Sequence, residues 1–188
     1  MKKNLLIILG IIVVVIILFA SSFVSQYNKV IRMNEAVDAQ WAQVENQLKR
    51  RFDLIPNLVE TVKGYAAYEK EVFEYIAEAR TAYFSAKSVG DKARTAGELE
   101  GALSRLLLLQ ERYPDLKANE SFLKLQDSLE GAENRIAVER MRYNETVRML
   151  NSYVKSFWGR FFAAWAGVEK AQYFEIPEVQ TETPKVKF

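Results

Sequence analysis

Asp53, Glu60 and Glu69 are the carboxylates of this chain at which acid–base chemistry would be sought. Paired carboxylates can move protons between reacting atoms. Acidic residues at helical spacing, however, are ordinarily a solvated face, and no nucleophile, phosphate-binding loop or metal motif accompanies these three. The chain has no cysteine and no histidine. That excludes a disulfide, a thiolate nucleophile, a histidine base and any His/Cys metal site, including the Glu-x-x-His pattern of di-iron bundles. The expectation is a protein that is not an enzyme and needs no metal or cofactor. The formal charge of +2, from 26 basic and 24 acidic residues, is not that of a nucleic-acid binder.

Two other clusters carry non-covalent chemistry. One is QLKRRFDLIPNLV, residues 47–59, which sets Lys49, Arg50, Arg51 and Asp53 just before Pro56. These four form the candidate partner-binding site. The other is FWGRFFAAWAG, residues 157–167. Aromatic rings with an apolar body and a polar edge favour the membrane interface. Trp158, Phe161, Phe162 and Trp165 are the candidate membrane contacts, within an aromatic amphipathic segment over 158–172. The alternative is that these rings cap a helical core.

The elements that position these clusters start with residues 5–24, LLIILGIIVVVIILFASSFV, which carry no charge. Twenty apolar residues at helical rise span about 30 Å, a bilayer core. A cleaved signal peptide is the alternative. The run is longer than a usual h-region and lacks a clean A-x-A site, so residues 1–25 read as an uncleaved single-pass anchor. Lys2 and Lys3 ahead of the span favour a cytoplasmic N-terminus in the bacterial inner membrane, with the bulk of the chain outside.

Beyond the anchor the pattern is helical, with no competing strand pattern. Val30, Val37, Trp41, Val44 and Leu48 recur at heptad spacing, with Asn34 a polar exception. Phe122, Leu125, Leu129, Ala132, Ile136, Tyr143, Val147, Leu150, Val154 and Phe157 do so more cleanly, at the coiled-coil period. Glu139 fills one seam position and is expected to reach solvent or pair with Arg135, Arg140 or Arg142. Asp91 is a candidate N-cap after the turn at Ser88, and Asn119 or Ser121 a candidate cap for the long last helix.

Pro56 allows two readings. A single helix could run through it with a kink, as heptad phase through Leu48, Arg51 and Ile55 suggests. Alternatively, Asp53 caps a new helix with Pro56 in its first turn, and Lys49–Arg51 close the preceding one. The second accounts for more residues. It places a chain reversal near 51–54 and helices near 26–51, 54–88, 91–113 and 120–157. The expected fold is all-α: an anchor followed by an antiparallel, up-and-down four-helix bundle over 26–157, with a flexible tail over 173–188. Position 50 would then lie roughly 35 Å from the membrane, and Lys49–Asp53 would form an exposed tip.

The stretches QWAQVENQLKRRFDLIPNLVETVKGYAAYE (40–69), ERYPDLKANESFLKLQDSLEGAENRIA (111–137) and RYNETVRMLN (142–151) resemble the LemA family of bacterial membrane proteins. With Tyr27-Asn28, the resemblance covers about two-thirds of the chain in order. It implies an N-terminal anchor and an antiparallel helical bundle, and brings no defined biochemical activity. The chain departs from the family at Tyr68, where relatives usually carry histidine, at Glu139, and at Ser156-Phe157-Trp158 in place of a Phe-Pro ending. The expected role is binding: a self-assembling scaffold, or an adaptor for another envelope membrane protein. An anchor that confines copies to two dimensions raises their effective concentration and favours a homo-oligomer. Contact with the lipid bilayer through the aromatic segment, and membrane remodelling by it, is the alternative function.

Overall fold

A computed structural model describes residues 2–175. All regular structure among the described residues is helical. Helix α1 runs Lys2–Lys63, α2 Lys70–Ser85, α3 Val89–Leu108, α4 Pro114–Lys117, α5 Glu120–Lys155 and α6 Phe157–Ala166, with a 3-10 turn at Leu109–Glu111. The chain divides into two compact units. The first joins the chain up to Trp41 to Glu145–Ala171; the second joins Ala42–Asn144 to the chain from Gln172 on.

The expected reversal at 51–54 does not occur. α1 continues through Pro56 to Lys63, and the chain turns between Lys63 and Lys70 instead. A proline inside a helix forfeits one backbone bond and costs about 3 kcal/mol. Here its ring lies on the exposed face of α1, away from the core. The opposite face stays apolar without a break. Leu48, Phe52, Ile55, Leu58 and Val62 are all buried, at steps of three and four. Each large buried side chain contributes about 1.5–3 kcal/mol, so the stripe outweighs the proline. The turn falls where the stripe ends: Gly64, Tyr65, Ala67 and Tyr68 are exposed, and the Ala66 amide closes back on the Val62 carbonyl at 2.8 Å. Asp53 is therefore a mid-helix residue and not a cap.

The second unit holds the aliphatic core. Ile76, Ala79 and Tyr83 of α2, Leu99, Leu103 and Leu106 of α3, and Phe122, Leu129, Ala132, Ile136 and Tyr143 of α5 are buried with the α1 stripe. Phe52 meets Tyr83 edge-to-face at 4.3 Å between centroids. The caps are specific. Ser88, rather than Asp91, is the N-cap of α3, and its Oγ accepts from the Asp91 amide at 3.0 Å. Asn119 caps α5, its Oδ1 accepting from the Phe122 amide at 2.9 Å. Glu139 pairs with Arg142 at 2.8 Å.

In the first unit, Val30, Phe162 and Ala163 are the buried centre, with Phe23, Tyr27, Tyr153 and Val154 packed around them. Ser156 ends α5 by turning to extended backbone and caps α6, accepting from the Gly159 amide at 3.1 Å. This break takes Phe157 out of the heptad seam and leaves it 82% exposed. A Cβ on Gly159 would lie 1.8 Å from the Tyr153 carbonyl oxygen, so only glycine fits there. Gly167, in the left-handed region at φ 66°, ends α6.

Two asparagines of α5, seven residues apart, hold extended backbone that follows α6. In the first unit, Asn151 donates to the Ala171 carbonyl and accepts from the Ala171 amide, both at 2.9 Å. In the second, Asn144 donates to the Phe174 carbonyl at 3.1 Å and accepts from its amide at 2.9 Å. Tyr143 donates to the Gln172 carbonyl at 2.8 Å. Phe174 is buried, under the Arg140 guanidinium. The start of the segment expected to be flexible is thus seated, and its remainder, 176–188, lies outside the described residues.

Candidate functional site

The basic cluster is divided by its helix. Arg51 is buried and forms an ion pair with Glu133 of α5. Lys49, Arg50 and Asp53 are exposed. The cluster does not cap two helix ends, because α1 is continuous there. Successive helical residues project about 100° apart, so a contiguous basic triplet cannot present one face. Arg51 occupies a heptad position and is drawn inward, where a carboxylate answers it. Beside the triplet, Glu45 pairs with Lys92 of α3, and Glu45, Lys49, Tyr83, Phe84 and Lys92 line a shallow recess of about 250 Å³. Burial first, and the nearby Glu45 carboxylate second, hold the Tyr83 hydroxyl well above its ordinary pKa.

The carboxylates do not converge. Asp53 and Glu60 are exposed on α1. Glu69 accepts from Arg112 at 3.0 Å and from the Tyr113 hydroxyl at 3.1 Å, which ties the α1–α2 turn to the chain after α3. That hydrogen bond is the main reason the Tyr113 hydroxyl is raised above its usual pKa. Among the described residues no group of three or more Asp, Glu, His or Cys is placed to hold a metal ion.

The aromatic cluster does converge, and it does so within the first unit. Phe23, near the end of the uncharged run of α1, meets Phe162 and Trp165 of α6 edge-to-face at 5.0 Å each and Phe161 at 6.4 Å. Tyr27 meets Trp165 at 5.9 Å. The four candidate membrane contacts separate by side. Phe162 is 5% exposed and belongs to the core, a correction to the sequence expectation. Trp158, Phe161 and Trp165 remain 66%, 54% and 65% exposed. A ten-residue helix has two faces, and Phe162 with Ala163 fills the inward one.

Between α6 and α1 lies a groove of about 690 Å³. Phe19, Phe23, Phe161 and Phe162 form its apolar walls, and Ser22, Gln26, Lys29, Tyr153 and Ser156 its polar margin. The Tyr153 hydroxyl donates to Gln26 at 2.8 Å, and the Lys29 ammonium sits 4.6 Å above the Tyr153 ring. Sequence reasoning missed this groove. Lys29 alone signalled it, as the first cation after the apolar run.

Among the described residues the regular structure is helical, one N-terminal helix is long and apolar enough to cross a membrane, and an aromatic helix packs on it, which is the make-up of a membrane-associated helical protein. The profile of the LemA family matches residues 40–188, and the chain belongs to that family. It is similar to magnetosome protein MamQ of Magnetospirillum gryphiswaldense, 25% identical over 207 aligned positions that cover 95% of this chain and 76% of that protein. Magnetosome protein MamQ 2 of Paramagnetospirillum magneticum is 24% identical, over 85% of this chain and 68% of its own length. Protein LemA of Metamycoplasma hominis is 23% identical, over 87% and 75%. None of these names denotes a reaction.

Proposed function

We propose that this LemA-family protein acts by binding and not by catalysis, as a single-pass inner-membrane protein that assembles with copies of itself or serves as an adaptor for another envelope protein. Its N-terminus is cytoplasmic and the helical part lies outside. The observation that carries this reading is α1, in which an uncharged run long enough to span a bilayer continues as helix into residues whose apolar stripe is buried. The scattered carboxylates support a non-catalytic role, and relatives named for the magnetosome rather than for a reaction agree with it. In the second unit, the pairs Arg51–Glu133 and Tyr65–Asn119 support antiparallel α1 and α5, as an up-and-down bundle requires. Val138 and Met141, three apart on α5, are exposed apolar residues suited to a protein partner.

The test is the mass of the full-length protein in mild detergent, measured by light scattering. A discrete assembly that Val138→Glu with Met141→Glu dissociates supports self-assembly. A monomer overturns it and leaves the adaptor role, to be sought by cross-linking in membranes from Lys49 and Arg50.

A second reading has its own support. The exposed rings of Trp158, Phe161 and Trp165, next to Phe19 and Phe23 of the apolar run, favour α6 as a foot in the bilayer interface, through which the protein would deform the membrane.

A further inference from the structure

We infer that the groove between α6 and α1 is a binding site for one anionic phospholipid, with an acyl chain along Phe19, Phe23 and Phe161 and the phosphate at Lys29. The inference rests on the reading that α6 meets the bilayer, and adds a ligand to it.

Position along the membrane axis comes first. Phe19 and Ser22 belong to the uncharged run, so their end of the groove is at the depth of lipid chains. From Phe19 to Lys29 is ten residues, or about 15 Å of helix. With the uncharged run ending at residue 24, this reaches from about 7 Å inside the hydrocarbon core to about 7 Å beyond it, from mid-chain to headgroup. The apolar walls and the cation therefore follow the order of a phospholipid's own parts.

Charge comes second. Lys29 is exposed, and among the described residues no carboxylate lies within ion-pair distance of it. Its ammonium lies over the Tyr153 ring, which holds it at the groove margin. Ser156 and Trp158, at the start of α6, line the same groove. The positive end of that helix adds to the Lys29 charge. An anionic headgroup is favoured there over a zwitterionic one, whose own cation would meet the same field.

Third, lipid is the molecule that reaches a groove opening at this depth. The walls are half-exposed aromatic rings, at 54% for Phe161 and 74% for Phe19. Their exposure is costly in water and is relieved by acyl chains.

The full-length protein in nanodiscs of phosphatidylcholine tests this, with a minor fraction of lipid brominated on its chains, either phosphatidylcholine or phosphatidylglycerol. Bromine quenches tryptophan on contact, and a Trp158→Phe, Trp165→Phe protein gives the background from Trp41. Brominated phosphatidylglycerol should quench about fivefold more effectively, the factor one basic residue carries at an anionic surface. Lys29→Gln should bring the two lipids to parity, Lys29→Arg should keep the preference, and Arg32→Gln, which removes an equal charge outside the groove, should leave it intact. Equal quenching by both lipids overturns the site and leaves the foot standing. An Arg32→Gln protein as impaired as Lys29→Gln overturns it in favour of diffuse surface charge. No quenching by either lipid overturns the site and the foot together.

Discussion

Aromatic residues do opposite things in the core of the second unit and on α6 of the first. In the second, Phe52, Phe122 and Tyr143 are at most 2% exposed, each on the buried face of a long helix. In the first, Phe157, Trp158, Phe161 and Trp165 stay more than half exposed on a helix of ten residues, and Phe162 alone among its aromatic rings turns inward. Water explains the first pattern: rings are buried because exposure is costly. It does not explain the second, where large rings lie beside an uncharged helical run. The proposed contact of α6 with the bilayer would account for the difference, since a ring that lipid covers needs no core.

The units also differ in what holds their helices. The second relies on a broad aliphatic core with a few internal ion pairs, which tolerates small local changes. The first seats α6 by a close backbone approach at Gly159 and a small buried centre. Gly159→Ala would sharpen this contrast most. The added carbon meets the Tyr153 carbonyl, and α6 must shift, at a cost of about 3 kcal/mol. Gly101→Ala, in the second unit, meets nothing within 4 Å on an exposed helix face. It should stabilise by up to about 1 kcal/mol. Denaturant unfolding in detergent, with tryptophan emission as the probe for α6, checks both. Equal effects would break the comparison.

Arg51 gives the next effect. Arg51→Met should cost about 2 kcal/mol, below the full value for a buried pair because Glu133 stays one-third exposed and can be rehydrated. Arg51→Met with Glu133→Leu should recover most of the loss. If the single change is neutral in urea unfolding, the pair is a surface contact and the second unit's interior is drier than its charges imply.

The smallest effect at neutral pH is expected for Tyr83→Phe. Its folded pKa is raised above the ordinary 10.0 by burial, then by Glu45. The stabilisation is whole below that ordinary value and is lost as pH rises beyond it toward the folded pKa, because the unfolded chain releases the proton first. Tyr83→Phe removes this loss and should move alkaline unfolding to higher pH, with little change near pH 7. An unchanged alkaline midpoint would mean that the hydroxyl is already solvated.

Much of this protein was legible in its periodicity. The uncharged run, the apolar stripes of α1 and α5, Asn119 as one of two candidate caps and Arg142 as one of three candidate partners of Glu139 follow from spacing and side-chain chemistry, which act over one or two helical turns. Where local signals competed, spacing alone did not decide. Pro56 and Asp53 argue locally for a break, and it took the packed face of Phe52, Ile55, Leu58 and Val62 to carry α1 through. Asn144 and Asn151 read as polar helix residues, until the chain beyond α6 returns to give each an amide and a carbonyl. The sequence by itself determined that the chain is helical, that its N-terminal run is long and apolar enough to cross a membrane, and that the residues of common catalytic sites are lacking, because composition and period are properties of each segment. Only the tertiary structure decided that Arg51 turns inward, that Phe162 leaves the aromatic surface and that Lys29 stands at the margin of a groove. Each of these depends on a neighbour more than 80 residues away in the chain, to which local pattern carries no reference.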